Sequence, residues 1–201
     1  MRGQNIDIKK LLEQAKVVTT DLCIEAGLEI LHLTADVINK IDQILPPFFW
    51  SKENLVDLLG EMGAEIPVKV LEILAQWDQC DAIVHLGVVG RLRLIDTMVK
   101  AARDTGQAIQ QEYYDMGIKM YKESEAEVFQ RSAELMVKYR KPILGAFLDD
   151  VHSRNITEIP GSPYSGIAFM TPERAVKVLS RGWFPTTTGC NGKVFSGFPI
   201  H

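Results

Sequence analysis

A chain of 201 residues is long enough to bury a real core and build one domain, with little left over for a second. Apolar residues make up 46% and charged residues 24%, the mix of an ordinary globular protein, and no apolar run approaches the length of a membrane span. The formal net charge of −4, with no basic cluster interleaved with aromatics, argues against a general nucleic-acid or anionic-membrane surface.

The N-terminal part reads as helices. Ile8, Leu11, Leu12 and Ala15 share one face, and a second helical stretch through Leu22, Cys23 and Ala26 stops at Gly27. Thr34 starts a third helix with Val37, Ile38, Ile41, Ile44 and Leu45 on its buried side, ended by Pro46-Pro47. The aromatic run Phe48-Phe49-Trp50 reads as packing that pins the connection to the next unit rather than as a ligand site.

From residue 51 onward the pattern alternates. Leu55 to Leu59 reads as a first strand, and Ile66, Val70, Leu71, Leu74 and Trp77 mark its returning helix. Ala82 to Gly87 is a second, nearly continuous apolar strand, followed by a helix marked by Leu92, Ile95, Met98 and Ala102. Residues 107–139 form a long helical insertion with Phe129, Ala133 and Met136 on one side, expected to be a packed hairpin of helices near a site rim. Pro142 to Leu148 is the third strand, and the stretch from Asn155 to Ser165 is rich in turns. Gly166 to Met170 is the fourth strand; Thr171 and Pro172 suit the cap and first position of a last helix with Ala175, Val178 and Leu179 on one face. Single helices between strands imply parallel pairing through right-handed crossovers. The expected fold is therefore α/β: a small doubly wound, flavodoxin-like parallel sheet of about four strands. An N-terminal helical segment over 1–50 precedes the domain at 51–181, and an irregular tail over 182–201 follows it.

Three cysteines, Cys23, Cys80 and Cys190, form no short pairing motif, which points away from metal sites and disulfides and toward a reducing cytoplasm. Residues 1–16 lack the layout of a signal peptide.

Open parallel sheets bind ligands at the carboxyl ends of their strands, where helix N-termini point. Three places qualify as phosphate-facing: Gly60 to Ala64 (with Gly60 and Gly63), Gly87 to Gly90, and Thr171. Tight turning alone also accounts for such glycines. Neither a Walker loop nor a dinucleotide fingerprint occurs. His85 reads as a satisfied core side chain, His32 as part of a helix connection, and Asp149, Asp150 and His152 as a solvated acidic loop rather than a metal site. A phosphorylatable receiver domain fails on residue placement. Asp57 lies inside its strand run and no lysine stands near Met170.

From Val17 onward the chain resembles the carboxyl-terminal part of NDP-forming acyl-CoA synthetases, the acetate–CoA ligase and succinyl-CoA synthetase-like group. The matching pieces are Thr19 to Leu28, Ile44-Leu45-Pro46-Pro47, Asn54-Leu55-Val56-Asp57-Leu58 (similar to the family's N-P-V-D-L), Cys80 to Val84, Lys141 to Gly145, Pro160 to Tyr164, and Thr171 to Lys177. They follow the family's order across roughly residues 17 to 181. The resemblance implies the end of one flavodoxin-like ligase domain followed by a second, whose helix N-terminus helps stabilise a phosphohistidine carried by the first. It implies that Asn54, Asp57, Gly60 and the backbone after them, beginning with Glu61, face phosphate.

Other family parts have no counterpart here. Nothing matches the CoA-binding Rossmann domain or the ATP-grasp domain, and no histidine has the family's serine-histidine-threonine-glycine neighbours. The family uses CoA, ATP or ADP, and Mg, none of which this chain is expected to bind alone. The expected partners are the CoA-binding and ATP-grasp domains or subunits, or a second copy of the chain. A non-catalytic binding or scaffold module of the same fold is the alternative, and a decayed remnant a third.

Overall fold

The computed structural model describes residues 8–46, 50, 52, 56, 63–89, 92–147 and 156–182. In chain order these hold α1 (Ile8–Glu25), α2 (Ala35–Asp42), α3 (Glu65–Gln76), β1 (Ile83–Leu86), α4 (Leu92–Asp104), α5 (Gln111–Tyr139), β2 (Ile143–Ala146), β3 (Ile156–Thr157), β4 (Gly166–Phe169) and α6 (Pro172–Gly182). The expected first strand at 55–59 lies outside the described residues apart from Val56, as does the tail beyond 182.

The two N-terminal helical stretches are one helix. Nothing between Ala15 and Leu22 breaks it, because the β-branched run Val17-Val18-Thr19-Thr20 lowers helix propensity without removing a backbone donor. Gly27 does end it, at φ 77°. Leu28 N–H donates to Cys23 O at 2.8 Å and Gly27 N–H to Ile24 O at 3.0 Å, the paired bonds of a Schellman motif. α2 starts where expected, with extended Thr34 accepting from Val37 N–H through Oγ1 at 3.5 Å. Its regular part ends at Asp42, and a further turn carries the chain to Pro46, with Leu45 N–H donating to Ile41 O at 2.9 Å.

The sheet has strand order β1-β2-β4-β3. β1 pairs parallel with β2, Ile83 opposite Ile143 and His85 opposite Gly145; β2 pairs parallel with β4, Gly145 opposite Ala168. β3 is a correction to the all-parallel expectation. Two residues inside the turn-rich stretch pair antiparallel with β4 at the edge, Ile156 opposite Ile167. So short a strand has too little period to stand out in sequence.

Helices cover both faces, giving the small doubly wound, flavodoxin-like α/β arrangement. α3 and α5 pack on one face, where Leu71, Ala75, Ile83, Ala133, Met136 and Ile143 share a core. Nearer the carboxyl ends of the strands, Ala64, Val68, Val89, Val128, Phe129, Phe147 and Ala168 form a second core. α6 covers the other face, and α1 packs outside α6. Being covered on two sides widens its apolar arc: the buried positions are Ala175, Val176 and Leu179, with Val178 only half-buried.

α2 packs on the outer side of α3, and Trp50 joins them: its indole N–H donates to Asp42 Oδ1 at 3.0 Å, and its ring lies beside Val37, Ile41, Leu45 and Val70. Trp50 therefore packs as expected, while Phe48 and Phe49 lie outside the described residues.

The insertion at 107–139 is not a hairpin within itself. Gln111 to Tyr139 is one helix of 29 residues, ended by Arg140 in the left-handed region at φ 55°. Gly117 is the strongest local weakness in this run, and a single glycine lowers helix stability by only about 1 kcal/mol without stopping the helix. The hairpin forms one element earlier, between α4 and α5. Tyr114 OH donates to Asp96, Arg103 Nη2 donates to Gln111 Oε1 at 2.8 Å, and the Arg103 guanidinium lies 5.5 Å from the centre of the Tyr114 ring.

Candidate functional site

Three parallel strands send their carboxyl ends to one edge of the sheet. Gly87 follows β1, Phe147 follows β2 and Thr171 follows β4. α3 reaches the same edge by its first residue, since Ala64 and Val68 pack with Val89, Phe147 and Ala168 while Leu71 and Ala75 pack lower down with Ile83. Gly63, Gly87 and Thr171 are thus brought to one side of the molecule, with the N-termini of α3 and α6 beside them. Asn54, Asp57, Gly60, Glu61 and Gly90 lie outside the described residues.

Glycine serves different ends at these positions. Gly87 takes φ 64°, a turn that side chains resist, and its N–H is committed to Ala146 O at 2.8 Å. It contributes the turn rather than a free amide. Gly63 has open space where a Cβ would stand, so no described residue crowds that point at the entrance to α3. Thr171 is half-buried ahead of the buried Pro172, and its carbonyl accepts from Ala175 N–H at 3.5 Å.

The first turn of a helix presents unpaired N–H groups and roughly half a positive charge, which favours an anion. Each of these two ends already carries a carboxylate of its own, Glu65 on α3 and Glu173 on α6. Glu65 is turned along the helix to Lys69 at 2.7 Å, and the lysine ammonium holds its carboxyl below the usual carboxylate range. Between the strand ends the space on the α3/α5 side is filled by Val89 and Phe147, both buried. The edge therefore combines amide ends with an apolar floor.

His85 lies on that same floor, one residue before the end of β1. It is in the core as expected but not satisfied: Nδ1 is buried with no hydrogen-bond partner among the described residues. Its Cε1 stands 2.9 Å from where a Cβ on Gly145 would sit, with Ala168 Cβ and Val89 Cγ2 beside the same point. Strand pairing uses the backbone, and the neighbours at that point, Ala168 Cβ and Val89 Cγ2, are carbon. Burial consequently lowers its pKa to about 4, so the ring is neutral at pH 7. The sequence showed a histidine in an apolar strand and could not show that Nδ1 finds no partner among the described residues. Ser132 Oγ on α5 is a second buried oxygen without a partner among the described residues.

Buried as it is, His85 Nδ1 is out of reach of an incoming phosphoryl group. His32 is exposed in the connection between α1 and α2, and His152 and His201 lie outside the described residues with Asp149 and Asp150. Cys23 and Cys80 are buried free thiols whose pKa values burial pushes up, so neither is a ready nucleophile. Among the described residues no three His, Cys, Asp or Glu side chains stand close enough to hold a metal ion. No helix there is long and apolar enough to cross a membrane. Neither protein-family models nor curated proteins give a match to this chain.

Proposed function

We propose that the chain is a fragment or small subunit of an NDP-forming acyl-CoA synthetase, supplying a phosphate-stabilising edge to a phosphohistidine or acyl-phosphate intermediate carried by other domains in the cytoplasm. The observation that carries this reading is the convergence of Gly63, Gly87 and Thr171, with the N-termini of α3 and α6, at the carboxyl edge of one parallel sheet. The ordered run of family-like segments between residues 17 and 181 supports it. So does the burial of His85 Nδ1, which takes that nitrogen out of reach of a phosphoryl group. CoA, ATP or ADP, and Mg would be bound by the CoA-binding and ATP-grasp partners, while this chain contributes amide dipoles and packing surface.

Thioester formation from acid, CoA and ATP tests the reading. The chain alone should give none, and mixing it with CoA-binding and ATP-grasp polypeptides should give turnover that depends on its presence. Thioester made by the chain alone, or turnover indifferent to its omission, refutes the proposal. A second reading, a non-catalytic binding module of the same fold, is favoured by the apolar floor of Val89 and Phe147 and by the commitment of the Gly87 amide. It requires melting to be indifferent to phosphate, whereas a bound anion at a hundred times its Kd adds about 2.7 kcal/mol.

A further inference from the structure

α5 is far longer than the sheet it covers. Its 29 residues span about 43 Å at ~1.5 Å per residue, whereas a strand of four residues spans about 13 Å. Packing on the sheet accounts for the buried positions from Val128 to Met136, and Tyr121 OH reaches Val88 O at 3.4 Å at the strand ends. The first ten residues of α5 include no buried side chain and extend past the strand ends, braced by α4 through Gln111 and Tyr114. α4 meets this half on the side of Tyr114.

The opposite side is apolar and uncovered. Tyr113, Met116 and Met120 are 63%, 53% and 62% exposed, and their spacing of three and four sets them in one stripe along the helix. Gly117 lies within a turn of all three, with open space at its Cα. Leaving two methionines and a tyrosine in water on a helix already supported elsewhere serves neither folding nor α4 packing.

We infer that this stripe is an antiparallel contact between two copies of the chain, related by a twofold axis. The flanking charges select that partner. Glu112 and Lys119, both exposed, are seven residues apart and border the stripe on the same side. When two identical helices lie antiparallel, like flanks face each other. Placing Met116 beside its own counterpart at the twofold axis then sets Glu112 level with Lys119 of the second copy, and the symmetry makes the pair twice. A parallel arrangement of the same helices sets this flank against the opposite flank of the partner, where Gly117 lies, with no such pairing. Gly117 lets the two backbones approach beside the crossing. Among the described residues Lys119 has only a long contact to Glu123, 3.9 Å between exposed groups, so little is lost when it turns outward. The contact uses none of Gly63, Gly87 and Thr171 and holds whether or not the chain belongs to a synthetase.

The test is sedimentation of the full chain over about a hundredfold range of concentration, with circular dichroism as the check on folding. The wild type should pass from monomer to dimer, Met116→Lys should stay monomeric with unchanged melting, and Lys119→Glu should weaken association about tenfold. The double variant Glu112→Lys/Lys119→Glu should bring dimerisation back, since it reverses both charges and restores the pairs. A chain monomeric throughout the range, a dimer untouched by Met116→Lys, or a double variant no better than Lys119→Glu would overturn the inference. None of these outcomes bears on thioester formation, which is read separately.

Discussion

Replacing His85 by leucine, a side chain of similar volume with no polar atom, should stabilise the protein and flatten its response to acid. The imidazole is neutral in the fold and its pKa falls from 6.5 to about 4 through burial alone. The unfolded chain therefore binds a proton between these two values that the folded chain refuses. Stability is fully present above pH 6.5, declines as the pH drops toward 4, and is flat again below it. At about 1.36 kcal/mol per pH unit the whole step amounts to about 3 kcal/mol, of which about 2 kcal/mol falls between pH 7 and pH 5. Removing the unpartnered Nδ1 should add about 1–2 kcal/mol at pH 7, because a buried nitrogen without a hydrogen bond has lost its water for nothing. Urea unfolding of wild type and His85→Leu at both pH values measures the two effects together, and the difference between the proteins cancels the carboxylates common to both. Equal slopes in the two proteins would refute the reasoning, as would an imidazole resonance of His85 titrating near its ordinary pKa in the folded state.

Gly145→Ala should cost about 1–3 kcal/mol in the same unfolding assay, since the new Cβ would lie 2.9 Å from both Ala168 Cβ and His85 Cε1 with no room to recede. Trp50→Ala should cost about 3–5 kcal/mol and leave Asp42 without its indole donor, and loss of a buried tryptophan should be visible as a red-shifted emission maximum. Gly27→Ala should cost about 1 kcal/mol, because φ 77° is strained for alanine and the Schellman bonds that close α1 depend on it; a lowered Tm checks this.

What the sequence disclosed and what it withheld divide along physical lines. β1, β2, β4 and the helices α2, α3, α4 and α6 announce themselves through period and caps, because each buries one stripe or both faces and its residues record that burial. Thr34 and Gly27 mark their helix ends by side-chain oxygen and by missing Cβ, local chemistry that any reader of the chain can use. β3 left no trace, since two exposed residues held by backbone bonds to β4 need no particular side chains. The merging of two helical stretches into α1 was hidden for a related reason: the run from Val17 to Thr20 looks like an interruption by propensity, and only packing against α6 decides that it continues. In the candidate site, glycines at strand ends were visible as letters, but whether an amide is free is settled by its neighbour, as the bond from Gly87 to Ala146 shows.

α5 carries the more general lesson. A period of 3.6 says that a helix has a face and not how much of that face another element will reach. Val128, Phe129, Ala133 and Met136 look no different in pattern from Tyr113, Met116 and Met120, yet the first group is buried against the sheet and the second stands in water. Length separates them, because four-residue strands end before the helix does. Whenever an apolar face continues past the element that covers it, the remainder must be matched to a cover by its own features. Here the alternation of Glu112 and Lys119 along one flank provides that match, and it suits a second copy of the same helix.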